Sequence, residues 1–445
     1  MSLINVISAI GNNKSIYPLL VRDCGIENPA KIAMTYKQNK DDKNIAWLAT
    51  RERFIDEYSV SAVWLGIIPL IDKAGKYLIN KFSGLNADVN LKLISEDEKY
   101  SKNMKIYQKT SSKGFNSQKP EIAQGFEYNI NKFKNIKGAE DAVKDMLNVK
   151  NNQKLFNKLM NTKFLASVIL PITLMGFVIP KLIFQSSAKK KLELAKQQNS
   201  ESMSFGSTKT FDQFVIGNQN MTTFQGGLTS FLTGLTTVQK MAITDGGYAT
   251  GRIVTARNKH EAFDLGFKLT GMMLLNYWAP QWIEKGLNLI TDVSLDPKLL
   301  ADKRFLASVK HNHLDLPKSN SAKDIIDFID KNPKSVFAGT AKEAGKIKFI
   351  KNTNIRDPRA FVDIDDLVKF KKHIDLFSKK ALASGDVAKY AKRALKLRST
   401  TILGNVALSS FLLAYCLPKA QFKIRELVTG SKLEPGLVEN SNPKI

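Results

Sequence analysis

The stretch His311-Asn312-His313-Leu314-Asp315 has the side-chain types and spacing to begin a metal site, with two imidazoles in an H-x-H pair and a carboxylate close by. A hydrolytic site of that kind needs further ligands to close its shell. The chain holds four histidines in all, so His260 and His373 are the remaining imidazoles, and position 316, where another histidine would extend the pattern, is leucine. We read the pair as a polar loop without metal. The acids Asp363, Asp365 and Asp366 open a segment with Phe361, Ile364, Leu367, Val368 and Phe370 at helical spacing. Acids in a first helical turn complement the helix dipole, which explains this string better than cation chemistry does.

Gly246, Gly247 and Gly251 match neither G-x-x-x-x-G-K-[ST] nor G-x-G-x-x-G after a strand, the two frames in which glycines cradle phosphate. Gly247 and Gly251 instead have the small-x-x-x-small spacing of closely packed helices, or they mark a flexible turn. No Ser-His-Asp set, G-x-S-x-G elbow or Cys-His pair stands out. Cys24 and Cys416 are the only cysteines, the latter inside an apolar run, so neither a disulfide framework nor a thiolate site is expected. The sequence therefore predicts no catalytic, cofactor-binding or metal site, no cofactor and no enzyme.

The elements are more informative than the motifs. Residues 164–184, FLASVILPITLMGFVIPKLIF, form an apolar run of bilayer-spanning length, about 20 helical residues for a hydrocarbon core of about 30 Å. Leu, Ile, Val and Phe favour insertion by roughly 0.3 to 0.6 kcal/mol each, so this run gains about 4 to 8 kcal/mol, enough to outweigh Pro171, Ser167 and Thr173. Its one charge, Lys181, lies near the end, where it can snorkel. Residues 399–418 form a second, more marginal candidate span that contains Asn405. Its small residues Gly404, Ala407, Ser410 and Ala414 suit packing against another membrane helix. Residues 59–71 and 269–283 fall short of spanning length. They read as core, re-entrant or interfacial helices, and Tyr277, Trp278 and Trp282 fit an interface or a core equally.

Three apolar runs end alike: GIIPLIDK at 66–73, GFVIPK at 176–181 and AYCLPK at 414–419. Proline removes an amide donor and clashes with the preceding turn, so each run should kink or stop there and deliver a lysine to the interface. The echo is either a degenerate repeat, as in transporter halves, or the ordinary way hydrophobic helices end.

The fold class we expect is all-α, with hydrophobic helices, membrane-spanning or re-entrant, and polar, mostly helical extramembrane regions. The organisation expected is an N-terminal helical region (1–94), a polar linker (95–138), a hydrophobic helical region (139–290), a soluble basic insert (291–398) whose first helix is capped by Ser321, the second candidate span, and a basic tail (419–445). The N-terminus has no basic n-region or small-residue cleavage site, so no signal peptide is read.

The 445 residues carry a net charge of +26, which points to polyanionic partners. The bases cluster beside apolar runs: Lys181, Lys189, Lys190, Lys191, Lys392, Arg393, Lys396, Arg398 and Lys419 are the flanks we expect to face anionic lipid headgroups, each worth about 1 kcal/mol near such a surface. Without an RNP, zinc-finger or helix-turn-helix signature, nucleic acid is the weaker partner. Both flanks of each candidate span are basic, so the positive-inside rule assigns no topology, beyond a cytoplasmic side for Lys189 to Lys191. The function expected is a non-enzymatic structural or scaffold protein contacting anionic lipid in a membrane, the bacterial inner membrane, with other membrane helices or self-association as further partners. A transporter or channel component is the alternative, and a basic nucleic-acid-binding protein the third. A transporter should carry ionisable residues inside its spans.

The run at 164–184 predicts integral membrane association. Alkaline carbonate should leave the protein in the membrane pellet and detergent should release it; quantitative release by carbonate alone would contradict the prediction.

Overall fold

The computed structural model describes residues 3–11, 17–112, 118–198, 237–291 and 294–437. Among them the regular elements are all helices, with no strand and one isolated bridge between Phe349 and Arg356. The polar stretch 199–211 and the Gly/Thr-rich residues 220–236 lie outside the described residues.

Helices α1 (Leu3–Gly11), α2 (Asn28–Gln38) and α3 (Lys43–Ser83) are followed by the shorter α4 (Lys92–Ser111), α5 (Phe126–Phe133) and α6 (Glu140–Asn151), then by α7 (Gln153–Glu193). Among the described residues of the rest of the chain a comparable order follows. A helical hairpin of α8 (Thr237–Val254) and α9 (Lys259–Thr291) precedes α10 (Lys303–Lys310), α11 (Ala322–Lys331), α12 (Val336–Glu343) and α13 (Ile364–Ala383), and α14 (Val387–Thr429) closes the series. By length and composition α3, α7 and α14 can each cross a membrane, at 41, 41 and 43 residues. The two spans expected from sequence fall in α7 and α14. The third lies in α3, where helix on both sides of the short run 59–71 supplies the missing length.

Each of these helices contains a π segment directly before its X-Pro step: Val63–Ile67 before Ile68-Pro69, Leu174–Val178 before Ile179-Pro180, and Leu412–Cys416 before Leu417-Pro418. The amide of the residue before proline reaches back five residues, Ile68 to Val63 O, Ile179 to Leu174 O and Leu417 to Leu412 O. A widened turn gives the pyrrolidine ring room that the α spacing denies it, so the helix continues where proline would break it. Pro171 and Pro280 lie inside α segments without such a turn, so proline alone does not dictate one. A fourth π segment, Leu20–Glu27, leads into Asn28-Pro29; Pro29 opens α2 at a position where its missing amide costs little.

The chain divides into two compact units. The first comprises Met1–Pro18, Asp72–Lys163 and Trp282–Val406. Its apolar cores gather around Leu93, Phe133, Met146 and Phe156, and around Phe305, Ile325, Phe337, Leu367 and Ile374. The irregular segment 349–362 joins them. Gln124 exchanges two hydrogen bonds with the Val362 backbone, Asn129 donates to Pro358 O, and Arg359 bridges Asp145 and Asp357. Arg356, fully buried, pairs bidentately with Asp330 and lies over the Phe133 ring. The stretch expected to be a linker, 95–138, is thus helical from Lys92 to Ser111 and supplies buried residues beyond it, because Leu93 anchors the first turn of α4 while its lysines stay in solvent. Ser321 caps α11 as its spacing suggested, and Asp363 caps α13, which begins six residues beyond Pro358.

Burial alone would raise the Asp330 carboxyl, but the Arg356 and Lys132 charges beside it hold it below the usual carboxylate range. A depressed carboxylate contributes stability that is present above its unfolded value near pH 4 and is lost as pH falls through its folded value. The protection of the α11 amides from hydrogen exchange, taken relative to their intrinsic rates, should therefore fall below about pH 4. In Asp330→Asn, destabilised by about 1 to 3 kcal/mol, that acid step should be absent; an unchanged step would assign it to another group.

Candidate functional site

The second unit, Leu19–Ile71, Phe164–Gln281 and Ala407–Ile445, is built on helix contacts close enough to require glycine. A Cβ on Gly251 of α8 would stand 2.9 Å from the Gly176 Cα in the π turn of α7, and Gly247, one turn away, faces Ile172. The Gly247/Gly251 pattern is thus a helix face and not a turn. Packing is reciprocal between the two halves of the chain. The π turn of α7 lies on α8, and the π turn of α14 lies on α2. Each long helix also meets the second hairpin helix of its own half: Arg51 of α3 donates to Ser186 of α7, and Gly271 of α9 abuts Leu417 of α14.

Beside an apolar core of Val63, Met175, Tyr248, Leu265 and Leu269, stretches of these helices turn aromatic side chains outward and charged ones inward. On α3, Trp47 and Phe54 are 47% and 52% exposed, whereas Glu52 and Asp56 are 8% and 4%. On α9, Phe263 is 48% exposed, and its neighbour Asp264 and Lys268 one turn on are buried. The inward charges form a network. Arg22 and Lys31 hold Glu27 at 2.9 and 3.2 Å; Lys31 reaches Glu57 at 3.6 Å; Lys268 touches Glu57 at 3.2 Å and Asp56 at 3.7 Å; Arg252 pairs with Asp56 at 3.1 Å. Arg257 grips Glu52 with both terminal nitrogens at 2.9 and 3.0 Å, takes Glu261 on its other edge, and stacks 4.3 Å from the Phe184 ring centroid. Arg425 repeats the motif: it donates to both oxygens of Asp264 at 3.0 and 2.7 Å, Gln421 adds a third bond, and Glu434 follows at 2.9 Å.

A narrow, half-open cleft, in which about 40 Å³ is open to the centres of water-sized guests, runs through this network. Seven lining residues come from each half of the chain, among them four acids (Glu52, Asp56, Glu261, Glu434) and four bases (Arg53, Arg252, Lys268, Arg425). Phe184 and Phe422 line it from matching positions, each four residues after the proline of a Pro-Lys step. Among the described residues no group of His, Cys, Asp or Glu is placed to hold a metal. The Asp56-Glu57 pair is instead surrounded by ammonium and guanidinium groups. What this lining suits chemically is a polar solute that meets charges of both signs.

The residues expected to face lipid separate into two groups. Lys181, Lys189, Lys190, Lys392, Arg393, Lys396 and Lys419 are exposed, Lys190 pairing with Glu193 and Lys419 lying over the Tyr415 ring. Lys191 is half-buried and donates to Leu437 O. Arg398 corrects the expectation: it is buried and turned inward to Glu284 and Asn288 of α9, which offer a carboxylate and an amide that lipid-facing positions lack. His311, His313 and Asp315 stand exposed on the segment after α10.

Sequence reasoning passed over the network. Its signal was the charge-dense RERFIDEY at 51–58, directly before an apolar run, in which Glu52 and Asp56 fall one helical turn apart. The second signal was the Pro-Lys echo, which extends to Pro-Lys-x-x-Phe at 180–184 and 418–422. No protein family, no characterised protein and no solved structure matches this chain.

Removing one partner from a buried ion pair strands the other and costs about 3 to 5 kcal/mol. Arg425→Ala should therefore lower the thermal midpoint in mild detergent sharply, and Arg425→Ala with Asp264→Ala should recover part of the loss, since the stranded carboxylate is gone. A double variant no better than the sum of the singles would argue against the pairing.

Proposed function

We propose that this chain is a membrane-integral protein of the transport class, whose second unit admits a small polar solute to the charge-lined cleft. The observation that carries this reading is that stretches of α3 and α9 turn aromatics outward and carboxylates and bases inward. Charged groups in membrane helices face the bundle interior and mark solute or ion pathways, because lipid-facing positions penalise them by roughly 2.5 to 3.5 kcal/mol each even on the mildest scale. The equal contribution of the two halves to the cleft supports the same reading, since repeat-built transporters place their sites at the repeat interface.

We place the protein in a cytoplasmic-type membrane, the bacterial inner membrane, with Lys189 and Lys190 at the cytoplasmic face.

A scaffold acting on anionic lipid is the second reading, and the exposed bases of α7 and α14 favour it. Reconstituted liposomes separate the two. On the transport reading, trapped potassium, chloride or radiolabelled amino acids escape faster than from protein-free liposomes, and Asp56→Asn, checked for insertion and thermal midpoint, slows the escape at least tenfold. Absence of flux for all of them, with salt-sensitive binding to anionic and not to neutral vesicles, would replace the transport reading with the scaffold.

A further inference from the structure

Gly430, in the left-handed conformation at φ 67°, ends α14 and turns the chain back onto the bundle. Residues 431–437 then run without helix across the elements that build the cleft. Asn39, next after α2, accepts from the Glu434 amide at 2.8 Å; Asn258, between α8 and α9, donates to Pro435 O at 2.7 Å; Lys191 of α7 donates to Leu437 O at 3.3 Å. Leu437, 5% exposed, packs on Leu48 and Ala49 of α3. The Glu434 carboxylate pairs with Arg425 at 2.9 Å and is part of the cleft lining. Gly436 comes so close that a Cβ there would stand 2.3 Å from Arg257 Nη2 and Glu261 Oε1. Since Ala49, Glu261 and Arg425 also line the cleft, this segment forms one of its walls.

The space behind that wall, about 40 Å³, has room for a few waters at about 10 to 15 Å³ each and for nothing larger. A solute can enter only if a wall moves. The other walls are helices tied to one another by ion pairs, whereas residues 431–437 hold to the bundle through side-chain bonds and bury only Pro435 and Leu437. Segments with so few buried apolar contacts open locally at a small fraction of the cost of global unfolding. We propose that residues 431–437 are a movable lid, closed in this structure, and that the cleft takes up its solute when Leu437 leaves Ala49 and Glu434 leaves Arg425. The inference rests on the reading of this cleft as a solute site. Lifting the lid strands no buried charge, because Arg425 keeps both oxygens of Asp264 at 3.0 and 2.7 Å and Glu434 departs with the lid into water.

The test uses the full chain with Cys24→Ser and Cys416→Ser, and new cysteines at the seat of the lid. In nanodiscs, Ala49→Cys should react slowly with a charged methanethiosulfonate, and at least tenfold faster when Gly436→Leu wedges the lid off its seat. Equal rates overturn the lid. Because the wedge also presses on the Arg257–Glu261 pair, a second experiment compares one protein with itself. Ala49→Cys and Leu437→Cys are joined by a short, reducible bis-methanethiosulfonate in liposomes loaded with potassium, chloride or radiolabelled amino acids. Joining should slow the escape of whichever solute passes at least tenfold, and a reductant should restore it in the same sample. Escape unchanged by joining also overturns the lid. Absence of escape for every solute before joining and after reduction, with Ala49→Cys still released to labelling by Gly436→Leu, removes the reading of the cleft as a solute site and leaves the lid as its cover.

Discussion

Charge buried inside a bundle that turns Trp47, Phe54 and Phe263 outward is the constraint on which the second unit depends. Isolated, any one of Glu52, Asp56, Asp264, Lys268 or Arg425 would carry a desolvation cost of several kcal/mol. Each is tolerable because the others are present: Arg257 answers Glu52 with a two-pronged grip, Arg425 does the same for Asp264, and Lys268 stands between Asp56 and Glu57. The partners come from α3, α8, α9 and α14, so the network fixes register among helices that are far apart in sequence. Apolar packing, which is non-directional, would leave such helices freer to slide.

The proline turns serve the same end. A straight α-helix advances 100° per residue, and a π turn holds one residue more, which shifts the phase of everything after it. In α7 the turn itself holds the close Gly176–Gly251 approach and precedes Phe184. In α14 it precedes Phe422 and Arg425. Each long helix can thereby present small residues to one neighbour and its aromatic and charged residues to the cleft. The same Pro-Lys-x-x-Phe spacing at both places gives the two halves equivalent parts, and the seven-and-seven lining of the cleft is the spatial result.

The first unit answers a different problem. Its two apolar cores are made of short helices, and the segment between them, 349–362, has little regular structure to satisfy its own backbone. Side chains from elsewhere bond part of it, Gln124 with Val362 and Asn129 with Pro358, and the segment's own Arg356 side chain anchors it by pairing with Asp330 over the Phe133 ring. Buried polar bonding here replaces secondary structure, whereas in the second unit it joins finished helices.

The sequence by itself determined the class of the fold. Helical periodicity, the Ser321 cap and the apolar runs in α7 and α14 depend on residues within a few positions of one another, so local pattern suffices to read them, whereas the start of α13 at Ile364, capped by Asp363, lies beyond the Asp357-Pro358 step at which the sequence suggests a helix start. The third long helix was partly legible: the run at 59–71 is too short alone, and its extension through 43–83 follows from a π turn that proline suggests without dictating, as Pro171 and Pro280 demonstrate. The direction in which α3 faces was decided by tertiary structure. Ile45, Leu48, Ile55 and Val60 mark a helical stripe, of which Leu48 is buried and the other three are half-buried, yet Glu52 and Asp56 are buried beside Leu48 and Ala49, because Arg257, Arg252 and Lys268, some 200 residues away in sequence, make an interior that can hold them. The same holds for Arg398, whose charge suggests a lipid headgroup and whose contacts are Glu284 and Asn288. A charge tells that a counter-charge is needed, and only the folded chain determines where that counter-charge stands.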